Sequence, residues 1–131
     1  LIVLINGCSK LDKAQKALDT YSDKWVQSDY KGMYEMLTSD SKSNISEEDF
    51  IKRYTNIFSA IDANNLSLEV NGDKEKSDGI ITIPFKLKMN TIAGAIELTD
   101  YKLVLVKEDK EYKIKWDESL IFPQMNKDDK V

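Results

Sequence analysis

The stretch Trp116-Asp117-Glu118-Ser119-Leu120-Ile121-Phe122-Pro123-Gln124-Met125 decides how the rest of the chain is read. It follows a run in which Tyr112, Ile114 and Trp116 alternate with Lys113 and Lys115, the period of a strand with one wet face. Trp116, Leu120, Ile121 and Phe122 concentrate apolar surface, each contributing on the order of 1.5–3 kcal/mol if buried. Pro123 has a fixed φ and no N–H to donate, so the segment ends or leaves the sheet there. The stretch predicts a last strand followed by a packed exit segment that hands the chain on.

Upstream of it the period of two persists. Leu66, Leu68 and Val70 alternate with polar residues, and Asn71-Gly72-Asp73 turns the chain into the charged stretch Lys74 to Asp78. Ile81, Ile83, Phe85, Leu87 and Met89 form a long second strand with Lys86 and Lys88 on the wet face; Pro84 inside it requires an edge or a bulge. After a reversal at Asn90 to Gly94, a third strand runs from Ile96 to Val106. Tyr101, Leu103 and Leu105 are out of phase with Leu98, and a bulge at Thr99-Asp100 reconciles them. Lys107 to Lys110 is a charged turn into the strand Glu111 to Trp116.

The first half of the chain is helical in period. Leu11, Ala14, Leu18, Tyr21 and Trp25 make one face of an amphipathic helix over Ser9 to Gln27. Ser28-Asp29 offers a cap to a shorter helix, Tyr30 to Leu37, in which Gly32 lowers the propensity. The serine-rich run Thr38 to Asn44 reads as a loop. Ser46 is an N-cap with Asp49 three residues on, Ile45 and Phe50 stand at the positions of a hydrophobic staple, and Phe50, Tyr54, Ile57, Phe58 and Ile61 make the buried face of a third helix ending near Asn64-Asn65. The prediction is an α+β domain over residues 9–125, with three helices packed on one face of a roughly four-stranded antiparallel sheet.

Composition narrows the function. A chain of 131 residues, 41% hydrophobic, can bury one ordinary core. The net charge of -4, with 19 basic and 23 acidic residues interspersed, argues against nucleic acid or an anionic membrane surface as the main partner. With no histidine, the commonest general base and metal ligand is missing. The carboxylates are scattered, and nothing in the sequence asks for a cofactor or a metal; Asp128-Asp129, between Lys127 and Lys130, reads as a solvated tail. Ser28-Asp29-Tyr30-Lys31 and Ser39-Asp40-Ser41-Lys42 both match S-x-x-K, but no K-T-G triplet follows either. Their structural readings are a helix cap for Ser28 and a solvated loop for Ser39.

The single cysteine, Cys8, excludes an intrachain disulfide. The apolar run Leu1 to Ile5, then Asn6-Gly7-Cys8-Ser9-Lys10, looks like the end of a bacterial lipoprotein signal peptide, with Ile5 three before the cysteine and Gly7 just before it; Asn6 departs from the usual middle residue. On this reading residues 1–8 are the tail of the signal plus the lipidated Cys8, and the only membrane contact is through that lipid. The other reading makes Leu1 to Ile5 a short buried strand and Cys8 a small core residue.

Taken together, Trp116-Asp117 with Leu120-Ile121-Phe122-Pro123-Gln124, Asp129-Lys130-Val131 after it, Ala17-Leu18 through Trp25, Tyr30-Lys31-Gly32-Met33-Tyr34 and Cys8 resemble the N-terminal domain of class B penicillin-binding proteins of the methicillin-resistance type. Asp128 stands where that family usually has glycine. The resemblance implies a cone of the nuclear-transport-factor-two-like (cystatin-like) fold, without catalytic residues or cofactor of its own. It would belong to a lipid-anchored cell-wall enzyme on the outer face of the cytoplasmic membrane of a Gram-positive bacterium. Residues 126–131 would begin a linker to transpeptidase domains of the same chain, which carry the nucleophilic serine and low affinity for β-lactams; cell-wall synthesis proteins are the other implied partners. A second reading is a stand-alone lipoprotein with a small-molecule or isomerase-like pocket, which wants a polar group at the bottom of an apolar cavity. Tyr54 and Tyr101 are the residues that could supply a hydroxyl there, or else pack the core.

Overall fold

The change of period after Asn65 divides a helical first half from a stranded second half. The computed structural model describes residues 4–122, with side-chain surroundings from residue 10 onward. Among these residues, helices α1 (Leu4–Val26), α2 (Tyr30–Glu35), α3 (Ser39–Asn44) and α4 (Glu47–Ala60) precede the strands. These are β1 (Asn64–Val70), β2 (Glu75–Ser77), β3 (Ile80–Thr91), β4 (Gly94–Glu108) and β5 (Glu111–Lys115), with a 3-10 turn at Glu118–Leu120 after them. Every strand pair is antiparallel in the order β1-β3-β4-β5, and β2 continues the β1 edge of β3. The helices pack on one face of this curled half-barrel, the α+β arrangement expected.

Two counts are corrected. The run 38–44 reads as a loop but folds as α3, giving four helices rather than three. It contributes one buried residue, Ser41, so no apolar period announces it; Thr38 caps it by accepting the Ser41 N–H at 3.1 Å, and Glu108 accepts the Ser39 N–H at 3.1 Å. Likewise Glu75–Ser77, read as part of a charged stretch, pairs with Ile80 to Thr82 as β2, giving five strands rather than four. The hairpin turn is Asp78-Gly79, with φ of 53° and 80°, the left-handed pair that two-residue hairpins require. At the start of the chain, the backbone is helical from Leu4 through Cys8, so a strand over Leu1 to Ile5 does not hold at Leu4 and Ile5.

The slip of phase in β4 is a bulge. Phe85 faces Tyr101 and Leu87 faces Leu98, so two steps on β3 oppose three on β4 across Thr99-Asp100. Pro84 lies in the middle of the sheet, opposite Lys102, where a missing N–H is ordinarily excluded. Its carbonyl accepts the Asn71 N–H at 3.1 Å, so its nitrogen faces the gap where β1 has ended and β2 has not begun. Gly72 covers that gap, and a Cβ there would lie 2.9 Å from the proline Cγ.

The core centres on Trp25, fully buried and ringed edge-on by Tyr21, Tyr54, Phe58, Phe85 and Tyr101 at centroid distances of 5.6 to 6.4 Å. Among the described residues its Nε1 has no hydrogen-bond partner. Ala14, Leu18 and Tyr21 extend the buried stripe of α1, as its spacing predicts. The outer edge of β5 is bridged at one point by the α2–α3 junction, where Thr38 N–H bonds Ile114 O and Ile114 N–H bonds Met36 O, each at 2.9 Å.

Candidate functional site

Beyond β5 the chain turns back over the open mouth of the half-barrel, and the predicted motif becomes a strap. Trp116 is buried against Phe50 at 5.2 Å, and its backbone N–H bonds the Ser41 Oγ at 2.9 Å. Asp117 then caps the 3-10 turn, its carboxylate accepting the Ser119 N–H at 2.8 Å and the Ser119 hydroxyl. Leu120 and Ile121 are buried, and Phe122 stacks on Phe58 at 5.8 Å.

Two tyrosines hold this strap from beneath. The Tyr54 hydroxyl, on α4, accepts the Trp116 indole N–H at 3.0 Å and donates to the Leu120 carbonyl at 3.2 Å. The Tyr101 hydroxyl, on β4, donates to the Ile121 carbonyl at 2.6 Å. Tyr21 OH lies 3.4 Å from Tyr54 OH. Burial pushes all three phenols above their ordinary range, and at Tyr21 the neighbouring Tyr54 adds to it. They are fixed donors at neutral pH, with no tendency to act as bases. The exposed Arg53–Glu118 pair, 3.1 Å, adds geometry more than energy.

Trp116, Asp117, Leu120, Ile121 and Phe122 therefore come together as one unit, while Pro123 and Gln124, with the expected linker 126–131, lie outside the described residues. Cys8 lies within α1, and its side-chain surroundings fall outside them too. Ser41, Thr38 and Arg53 belong to the strap's support and carry no sequence signal; Tyr54 and Tyr101 do, being polar-tipped residues at core-facing positions.

The S-x-x-K serines are placed otherwise than read. Asp29, not Ser28, caps α2, accepting the Gly32 N–H at 3.0 Å, while Ser28 takes a left-handed φ of 60°. Ser39 opens α3 with its hydroxyl on Glu108 at 3.2 Å. Lys31 pairs with Glu35 at 4.0 Å, and Lys42 sits 5.8 Å over the Tyr34 ring, so neither lysine is directed to its serine.

A surface depression of about 580 Å³ runs beside the strap, lined by Ser46, Asp49, Arg53, Trp116, Asp117 and Glu118. It is open and carries both signs of charge. An apolar cavity with one polar group at its floor is a different object; here the buried hydroxyls are spent on backbone carbonyls.

Among known proteins, the chain matches the family described as NTF2-like N-terminal transpeptidase domains over residues 13–129. It is 34% identical, over 137 aligned residues, to penicillin-binding protein 3 of Bacillus subtilis (strain 168), covering 100% of this chain and 20% of that protein. Of solved structures, an NTF2-like protein of unknown function from Shewanella oneidensis MR-1 superposes with a TM-score of 0.61 at 11% identity, over 81% of this chain and 94% of that one. A protein of unknown function from Mycobacterium tuberculosis gives 0.59 at 13% identity, over 85% and 70%. At such identities the two structures speak for the fold alone.

Proposed function

Because this chain belongs to the family of NTF2-like N-terminal transpeptidase domains, we propose that it is the non-catalytic spacer of a membrane-anchored penicillin-binding protein. The observation that carries this is the strap: Tyr54 and Tyr101 place their hydroxyls on the carbonyls of Leu120 and Ile121, fastening the segment that follows the last strand. Lys10, near the start of α1, lies beside Lys76, whose register through Ile81 reaches Leu105, whereas the strap is fastened to Tyr101, four residues away along β4. At about 3.3 Å per residue that is ~13 Å of strand between the start of α1 and the point where the strap is fastened. A domain built this way lifts whatever follows it.

In this reading Cys8 carries the lipid, on the outer face of the cytoplasmic membrane. The transpeptidase domains follow the strap, contain the serine that reacts with penicillin, and confer tolerance of β-lactams; cell-wall synthesis proteins dock on the assembly. Among the described residues no helix is long and apolar enough to cross a membrane.

Three measurements test it. The gene downstream of codon 131 should encode several hundred residues with S-x-x-K and K-T-G; a stop codon there refutes the spacer. Replacing the domain in the full-length protein by an unrelated folded domain of equal span should preserve peptidoglycan cross-linking in cells, while deleting it should abolish cross-linking without changing penicillin acylation of the purified enzyme. Mass spectrometry of membrane-derived protein should find acyl chains at Cys8.

A further inference from the structure

Six lysines gather where α1 begins. In the sheet register Lys76 faces Ile81 and Ile81 faces Leu105, so Lys76 and Lys107 lie on the helix-covered side, at the end of the sheet nearest Lys10. Lys10 beside Lys76, with Lys107 adding to it, holds the Lys76 ammonium below the usual lysine value. Lys13, Lys16 and Lys110 line one open groove of about 400 Å³ with Glu111 and Tyr112. Lys107 lies 6.0 Å over the Tyr112 ring, which joins the groove to the Lys10–Lys76 pair.

Among the described residues none of these six lysines forms an ion pair, whereas Lys86, Lys88 and Lys113, on the outer face of the sheet, all do. The carboxylates at the neighbouring strand ends are engaged elsewhere: Glu108 on Ser39, Glu111 on Lys113. Asp12, Glu75, Asp78 and Asp109 are the exposed carboxylates nearest in sequence. A chain of net charge -4 thus gathers six lysines at one end, none in an ion pair among the described residues. Like charges held this close stabilise one another only when a counter-anion lies between them.

We propose that this end, formed by Lys10, Lys13, Lys16, Lys76, Lys107 and Lys110, docks on the anionic phospholipid headgroups of the membrane that the protein is tethered to. The proposal rests on the anchor reading for its orientation: Lys10 follows Cys8 by two residues in one continuous helix, about 3 Å along its axis. The lipid would hold the domain at the surface, and the lysines would set its upright stance, with the strap facing away. The membrane contact then extends beyond the acyl chain that the overall charge suggested.

The test uses the full chain with Cys8→Ser, which carries no lipid, and vesicles of phosphatidylcholine with or without phosphatidylglycerol. Cosedimentation should require phosphatidylglycerol and fall with added salt. The triple variant K10E/K76E/K107E, all at exposed positions, should weaken it on the order of tenfold or more. The triple variant K52E/K102E/K115E changes the net charge equally on other faces and should bind as the parent does. Absence of phosphatidylglycerol-dependent binding, equal loss in both triples, or tighter binding to soluble polyphosphate than to vesicles would each overturn the proposal. Failure to find acyl chains at Cys8, with vesicle binding intact, removes the anchor reading and leaves this one standing.

Discussion

Trp116 and Tyr54 share a buried hydrogen bond, indole N–H to phenol oxygen, 3.0 Å long, between residues 62 apart in the chain. It joins the end of the sheet to the middle of α4, and the same phenol passes its own proton to the Leu120 carbonyl. Tyr54→Phe keeps the ring packing and deletes both bonds, leaving a buried donor and a buried acceptor unpaired. At about 1–3 kcal/mol for each orphaned group, the variant should lose roughly 2–6 kcal/mol in urea denaturation with an unchanged m-value. A loss under about 0.5 kcal/mol would contradict the strap's dependence on this hydroxyl.

Tyr101→Phe removes only the bond to Ile121 and should cost about 1–2 kcal/mol. Because both phenols hold one segment, the double variant should show a non-additive cost of about 0.5 kcal/mol or more. Strict additivity in a double-mutant cycle would mean that Leu120 and Ile121 are held independently.

Ser41 Oγ accepts the Trp116 amide at 2.9 Å and the Thr38 hydroxyl at 2.9 Å, all three groups buried. Ser41→Ala should destabilise by about 1–3 kcal/mol and make the Trp116 amide exchange as fast as the exposed turns. Protected exchange at Trp116 in that variant would rule out the serine as its partner.

Glycine to alanine within a helix ordinarily stabilises by about 1 kcal/mol. Gly32→Ala should do the reverse, because the new Cβ collides with the Asp29 carboxylate that caps α2 and comes within 2.9 Å of Lys24 Cδ. Repeated in an Asp29→Ala background, where there is no cap to lose, the same change should regain stability. Thermal melts of the four proteins check the inversion of sign.

The buried phenols also set the alkaline limit. Tyr21, Tyr54 and Tyr101 have folded-state values raised above the unfolded value of about 10, so the folded state retains protons that the unfolded state gives up. Their contribution is whole below about pH 10 and is lost as pH rises past it, by up to ~1.4 kcal/mol per pH unit per phenol. Ultraviolet titration should show these phenolates appearing together with loss of circular dichroism. Smooth ionisation of all six tyrosines in a chain that stays folded would contradict this burial.

The sequence disclosed whatever rested on repetition. The stripe Leu11-Ala14-Leu18-Tyr21-Trp25, the Ser46 cap of α4 and the phase slip at Thr99-Asp100 each repeat or break a period, and each is found in place. Pro84 announced its own exception, although the gap beside it was visible only once β1 and β2 were both on its edge. What escaped was held by partners far away in the chain: α3 depends on Glu108 and Trp116 as much as on its own residues, and a six-residue polar helix has no apolar rhythm to betray it. Asp78-Gly79 was legible as a hairpin dipeptide, yet the charge around it pointed to a loop. At the strap, composition located the segment, but which atoms fasten it followed only from the fold.

The placement of the two tryptophans gives the protein a built-in pair of optical reporters. Trp25 is enclosed by five aromatic rings with no polar partner for its indole nitrogen among the described residues, whereas Trp116 donates to a phenol directly under the strap. Trp25 should emit at the blue end of the indole range and redden only when the whole core opens. Trp116 should redden as soon as its bond to Tyr54 parts. With each replaced in turn by phenylalanine, the remaining fluorophore reads one event, and release of the strap can be timed separately from collapse of the core it closes.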